Sequence, residues 1–179
     1  MSGAVDKLLT QAIQARRENR LDDARRDLVE AVNLCRKTGG RDELAKALKS
    51  LGQIERDLRH SDSALQHYAE AAAIYRADGD ALKLAHAVRH LGDIHQDEGR
   101  TDLAEPYYQE ALALYRSHPH ASPLDLANAI RSFAVLKDDA GEREQAKVLW
   151  REAKELYSAV NVKEGVAESS RRLALLGAI

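Results

Sequence analysis

Apolar residues recur at three- and four-residue steps along almost the whole chain, as in Leu44, Ala47, Leu48, Leu51, Ile54 and Leu58. That spacing lays one apolar stripe along an α-helix and predicts a succession of amphipathic helices. Gly39-Gly40, Asp78-Gly79-Asp80, Gly99 and Gly141 fall between the stripes, where they stop one helix and let the next begin. Ser122-Pro123-Leu124-Asp125 predicts a helix start, with a capping serine, a proline in the first turn and an acid at the third position. Asn161-x-x-Glu164 reads as a second capping box. Pro106 reads as lying near the start of its helix, where a missing N–H costs least.

The stripes repeat. Leu51-Gly52-Gln53-Ile54, Leu91-Gly92-Asp93-Ile94 and Phe133-Ala134-Val135-Leu136 align, with starts 40 and then 42 residues apart. Each is followed by a second aligned segment: Ala64, Tyr68, Glu70 and Ala71; Ala104, Tyr108, Glu110 and Ala111; Ala146, Trp150, Glu152 and Ala153. An earlier copy holds Ala24, Leu28, Glu30 and Ala31, and Cys35, Tyr75, Tyr115 and Tyr157 close the four copies in register. Leu44-Ala45, Leu84-Ala85, Leu126-Ala127 and Val166-Ala167 align ahead of them. Each unit is thus a pair of helices. Small residues form columns, such as Ala12, Gly52, Gly92, Ala134 and Ala174, where two helix axes can come within the low end of ~8–10 Å.

Leu91-Gly92 in a first helix, with Ala104, Tyr108 and Ala111 in a second, resembles the tetratricopeptide repeat family, and the likeness covers nearly the whole chain. The period of 40–42 exceeds the common repeat of about 34 and is similar to the longer-period subtype of kinesin light chains and LGN-like adaptors. The resemblance implies an all-α fold, a right-handed superhelical α-solenoid of antiparallel helix pairs. It would be one array over 1–179, with repeats at 4–38, 41–77, 80–118 and 122–159 and a capping helix at 161–179. Gln11 and Gln14 stand where other first helices have Leu51, Leu91, Ile54 and Ile94, and Ser169 and Ser170 stand where others have Ala129 and Ile130. These read as solvated caps on a complete array.

The chain has 179 residues and a net charge of −2, which gives no overall pull toward nucleic acid or an anionic membrane. The single cysteine, Cys35, rules out an internal disulfide and shares a column with three tyrosines, so burial is its expected role. No apolar run nears the roughly 18–20 residues that span a bilayer, and the start of the chain shows no leader pattern, so a soluble cytoplasmic protein is expected. No Gly-rich phosphate loop or nucleophile constellation is present, so the reading is non-enzymatic, with no cofactor.

The resemblance further implies that first helices line a ligand groove. Its exposed columns would hold Lys46, Lys49, Ser50, Gln53 and Arg56, then His86, Arg89, His90 and Asp93. They continue as Asn128, Arg131, Ser132 and Val135, and end in Arg171, Arg172 and Leu175. Lys49, Arg89, Arg131 and Arg171 form one basic column, suited to an acidic or C-terminal segment of a protein partner. The alternative for that column is a solvated row neutralised by Asp57, Asp97 and Asp139. Val135 and Leu175 form an apolar spot at its C-terminal end, and Gln53, Asp93 and Val135 depart from the Asn-containing clamp of the chaperone-tail-binding members. Self-association through Leu173, Leu175 and Ile179 is the other expectation, for a monomer or weak homodimer. A metal at His86 and His90 is a remote third, because the run to Asp93 and Asp97 spreads over ~16 Å of helix. Binding of nucleic acid or a membrane is not expected.

Overall fold

The structure, a computed structural model, describes residues 2–177, and among these residues it forms nine α-helices and no strand. They are α1 (Ser2–Arg17), α2 (Leu21–Thr38), α3 (Arg41–Asp57), α4 (Ser61–Asp78), α5 (Ala81–Asp97), α6 (Thr101–Ser117), α7 (Pro123–Asp139), α8 (Arg143–Ala159) and α9 (Lys163–Gly177). Odd-numbered helices are the first helices of the repeat and even-numbered ones the second. The chain divides into two compact units, Met1–Ala87 and Val88–Ile179. In the first, α1 packs on α2, α2 on α3 and α3 on α4; in the second, α6 packs on α7, α7 on α8 and α8 on α9. Connections of a few residues make neighbours antiparallel.

Gly39 (φ 78) and Gly79 (φ 72) end α2 and α4 in the left-handed conformation that only glycine enters freely. Ser122 caps α7 as its sequence predicts, its hydroxyl accepting the Asp125 N–H at 3.4 Å with Pro123 at the helix start. Two expectations are corrected. Asn161 is not a cap: it takes the left-handed conformation of the turn (φ 59), and α9 begins at Lys163. Pro106 is the sixth residue of α6 and lies inside that helix, so it does remove an intrahelical hydrogen bond.

The columns of small residues have a direct cause. A Cβ on Gly52 would lie 2.8 Å from the Tyr68 ring, and one on Gly92 would lie 2.8 Å from the Tyr108 ring. The Tyr68 ring of α4 and the Tyr108 ring of α6 therefore rest against the bare backbone of α3 and α5. Tyr68, Tyr108 and Trp150 are buried, as are Cys35, Tyr75, Tyr115 and Tyr157 in the closing column. Burial raises the Cys35 thiol pKa and favours its neutral form.

The ends of the array differ from their sequence reading. Gln11 and Gln14 are exposed as expected. Ser169 is fully buried, so it is not a solvated cap: its hydroxyl donates to the Gly165 carbonyl at 2.8 Å. Ser170 is half-buried and donates to the Val166 carbonyl at 2.8 Å. A hydroxyl satisfied within its own helix can be buried at little cost.

Candidate functional site

In the first unit the face of α3 is polar and largely self-paired. Lys46 is exposed and pairs with Asp42, one turn back on the same helix. Lys49, Ser50, Gln53 and Arg56 are half-buried. Gln53 donates to Asp57 at 2.8 Å and lies 3.3 Å from the Tyr68 hydroxyl, which donates to it. Asp57 also accepts from Arg16 of α1 at 2.6 Å. His86, in the part of α5 that belongs to this unit, is half-buried.

In the second unit the same columns are more tightly organised. Arg89 pairs with Asp93 at 2.9 Å and contacts His90 at 2.9 Å, and its side chain keeps only 14% of its exposure. The Tyr108 hydroxyl lies 3.0 Å from Asp93 and 2.7 Å from Gln96. His90, Asp93 and Ser132 are buried, against the expectation of exposed columns. The cause for Asp93 is the tyrosine of the second helix, whose hydroxyl reaches the first helix and needs an acceptor there. Repeat four shows the converse. Trp150 replaces the tyrosine and Val135 replaces the acceptor, so the polar partner disappears together with the hydroxyl.

Arg131 on α7 donates through Nε and Nη2 to both oxygens of Glu168 on α9, at 2.6 and 2.8 Å. The Arg131 guanidinium holds the Glu168 carboxyl below its ordinary pKa, and Glu168 in turn raises that of Arg131. Asn128 accepts the Tyr157 hydroxyl at 2.8 Å. Arg172 reaches Asp138 at 3.2 Å with its guanidinium 5.8 Å from the Trp150 ring centre. Val135 is half-buried, Arg171 is exposed and Leu175 is 66% exposed. Leu173 is half-buried and lines an open cleft with Arg151, Lys154, Glu155, Ser158 and Ala159; Ile179 lies outside the described residues. The basic column is thus neutralised at Arg89 and Arg131 by Asp93 and Glu168. Of the acids picked out in sequence, Asp57 accepts from Arg16 and Asp139 lies 3.4 Å from Gln96. Among the described residues no group of three or more His, Cys, Asp or Glu is placed to hold a metal ion, and no helix is long and apolar enough to cross a membrane.

The sequence reading missed a set of buried charges where first helices turn into second ones. Glu55 is 1% exposed and pairs with Arg25 and His60, each at 2.7 Å. Lys137 occupies the same column, is 4% exposed and pairs with Glu105 at 2.7 Å and Glu142 at 2.8 Å. The signs of Arg25 and Glu55 are inverted in Glu105 and Lys137. His95, between them in the column, stacks on Tyr107 at 5.5 Å and has Arg100 as its charged neighbour. Desolvation, then the Arg100 charge, lowers the pKa of His95. A histidine held neutral in the fold but free to protonate when unfolded makes stability fall as pH drops below its unfolded value of about 6.5. His67 is shifted the same way by desolvation. His95→Gln is therefore expected to shrink, without abolishing, the loss of melting temperature between about pH 7 and about pH 5. An unchanged loss in circular-dichroism melts would contradict the assignment.

Successive antiparallel helix pairs, with small residues of one helix under a large side chain of the next, define an α-helical repeat protein. The chain belongs to the tetratricopeptide repeat family, whose profile matches residues 6–77 and 62–117. Among solved structures it resembles BtubC (BKLC) from P. vanneervenii, at 22% identity and a TM-score of 0.80, over 88% of this chain and 64% of that one. It also resembles the apo form of RapI, at 11% identity and a TM-score of 0.85, over 93% of this chain and 60% of that one. The chain spans less than two thirds of either protein, and likeness at these identities is a likeness of fold. No curated protein matches it. Tetratricopeptide repeats are protein-interaction modules, and that general role is this chain's.

Proposed function

We propose that the first-helix face of each unit can hold an acidic or C-terminal peptide segment of a protein partner, in an intracellular, non-enzymatic adaptor whose repeats divide as the sequence columns divide them. In the second unit the contact centres on Arg131 and Arg171, with Val135 and Leu175 beside them. In the first unit it centres on Lys49 and Gln53. The observation that carries this reading is the Arg131 guanidinium. Its paired N–H groups are oriented for a carboxylate, and its side chain keeps 41% of its exposure. Arg89 is a weaker candidate because it is held by a buried acid, and reversing its charge would disturb the fold before it disturbed binding.

The test is Arg131→Gln with Arg171→Gln, measured against an immobilised panel of acidic and neutral peptides with free and amidated C-termini. Binding of the acidic or free-carboxylate peptides should fall about tenfold or more, the scale of two lost charge-assisted contacts. The circular-dichroism melt should stay within a few degrees, because exposed ion pairs contribute only ~0–1 kcal/mol. Peptide binding that survives the double substitution would remove these arginines from the site.

A further inference from the structure

Glu168 is an acid in a column that is not acidic on α3, α5 or α7. The equivalent positions there are Lys46, His86 and Asn128, and only the two outer first helices carry an acid, Asp6 on α1 and Glu168 on α9. That carboxylate reaches across to α7 and takes the fork of Arg131 with both oxygens. Cross-helix pairs at similar separation recur in the fold, as Arg16 with Asp57 and Arg41 with Asp78, but in this one two guanidinium nitrogens meet both carboxylate oxygens.

The pair is also open to water. Its side chains keep 41% and 22% of their exposure, so solvent screens it more than it would a buried pair. Arg89 and Asp93 are different, at 14% and 8%, because separating them would strand a charge in a dry site. Of these two ion pairs, the Arg131 pair is the one that can be opened cheaply.

We infer that Glu168 is a built-in stand-in for an acidic side chain of the partner, which must displace it from Arg131 to bind. This rests on the peptide-face reading above and adds to it the occupant and the regulation. The displaced carboxylate is not left alone, because Arg171 and Arg172 follow it at i+3 and i+4 on α9, where a helix brings side chains together. Both already favour its charged form. Val135 lies one turn beyond Arg131 on α7, and Leu175 lies one turn beyond Arg171 on α9. The partner segment is therefore an acidic side chain flanked by an apolar one. Glu168 acts as a threshold that a segment with a weaker or misplaced charge does not cross.

Two measurements on the whole chain test this. The first is phenylglyoxal modification of Arg131, followed by mass spectrometry. Modification should run several-fold faster in Glu168→Gln than in the wild-type chain, and equal rates overturn the inference. If Glu168→Gln loosens α9, seen as a lowered melt, wild-type protein at rising salt replaces it. Arg131 should then become more reactive as the pair is screened, and an unchanged rate overturns the inference.

The second measurement is binding of a fluorescein-labelled octapeptide of alternating glutamate and leucine with an amidated C-terminus. Glu168→Gln should bind it about fivefold or more tightly than wild type, and Arg131→Gln added to Glu168→Gln should erase the gain. Wild-type binding that is lost in Arg131→Gln yet unimproved in Glu168→Gln overturns the displacement and leaves the peptide face standing. Binding by none of the chains overturns both. A free-acid twin that binds better than the amide assigns the fork to a terminal carboxylate and overturns the side-chain occupant.

Discussion

Trp150→Ala should cost about 3–5 kcal/mol, the largest loss expected from any single truncation in the second unit. Trp150 is completely buried, and it fills the space that Tyr68 and Tyr108 fill in their repeats. Removing the indole leaves a void that α7 and α8 close only by moving together, and it takes the aromatic face from beneath the Arg172 guanidinium. Trp150→Phe should cost much less, about 1–2 kcal/mol, for a specific reason. The indole N–H makes no hydrogen bond among the described residues, so its loss strands no acceptor. Denaturant titration followed by circular dichroism checks both substitutions. A loss below about 1 kcal/mol for the alanine variant would mean that the repeat tolerates a void where the packing argument allows none.

The helix pairs and the small columns were legible because they are written locally and then repeated. Gly52 against Tyr68 and Gly92 against Tyr108 are the same contact at the same spacing, and Ser122-Pro123 announces a helix start within a few residues. The charged nodes were not legible. Glu55 has one partner nearby in sequence, His60, but its charged partner Arg25 belongs to the preceding helix, so its burial is not written locally. The signal lies between copies: Arg25 and Glu55 against Glu105 and Lys137, their signs reversed. The candidate face was legible in membership only. That Asp93 is buried follows from the hydroxyl of Tyr108, and the paired exchange of Tyr108 for Trp150 and Asp93 for Val135 encodes that link in the sequence. Val135 is thereby apolar for packing reasons as well as for any contact with a partner. The hold of Glu168 on Arg131 depends on how α9 lies beside α7, which the spacing of residues along either helix does not encode.

That placement of α9 makes Gly165→Ala the second large effect. Alanine in place of glycine ordinarily strengthens a helix by up to about 1 kcal/mol. Here the added methyl would lie 2.4 Å from Cγ of Tyr157 and within 2.7 Å of both neighbouring ring carbons, well inside contact distance. The ring is not free to swing away, because it is buried and its hydroxyl is held by Asn128 at 2.8 Å. The helix must give instead, by on the order of 1 Å, and overpacking of this kind costs about 1–3 kcal/mol. Lifting α9 also draws Glu168 away from Arg131, so Gly165→Ala should both lower the melting temperature and speed phenylglyoxal modification of Arg131. Gly3→Ala is the control, since a Cβ there meets nothing within 4 Å and the melt should hold or rise. A melt for Gly165→Ala at or above that of the wild-type chain would show that α9 does not rest on the Tyr157 ring. The coupling between that packing and the Arg131 fork would fall with it.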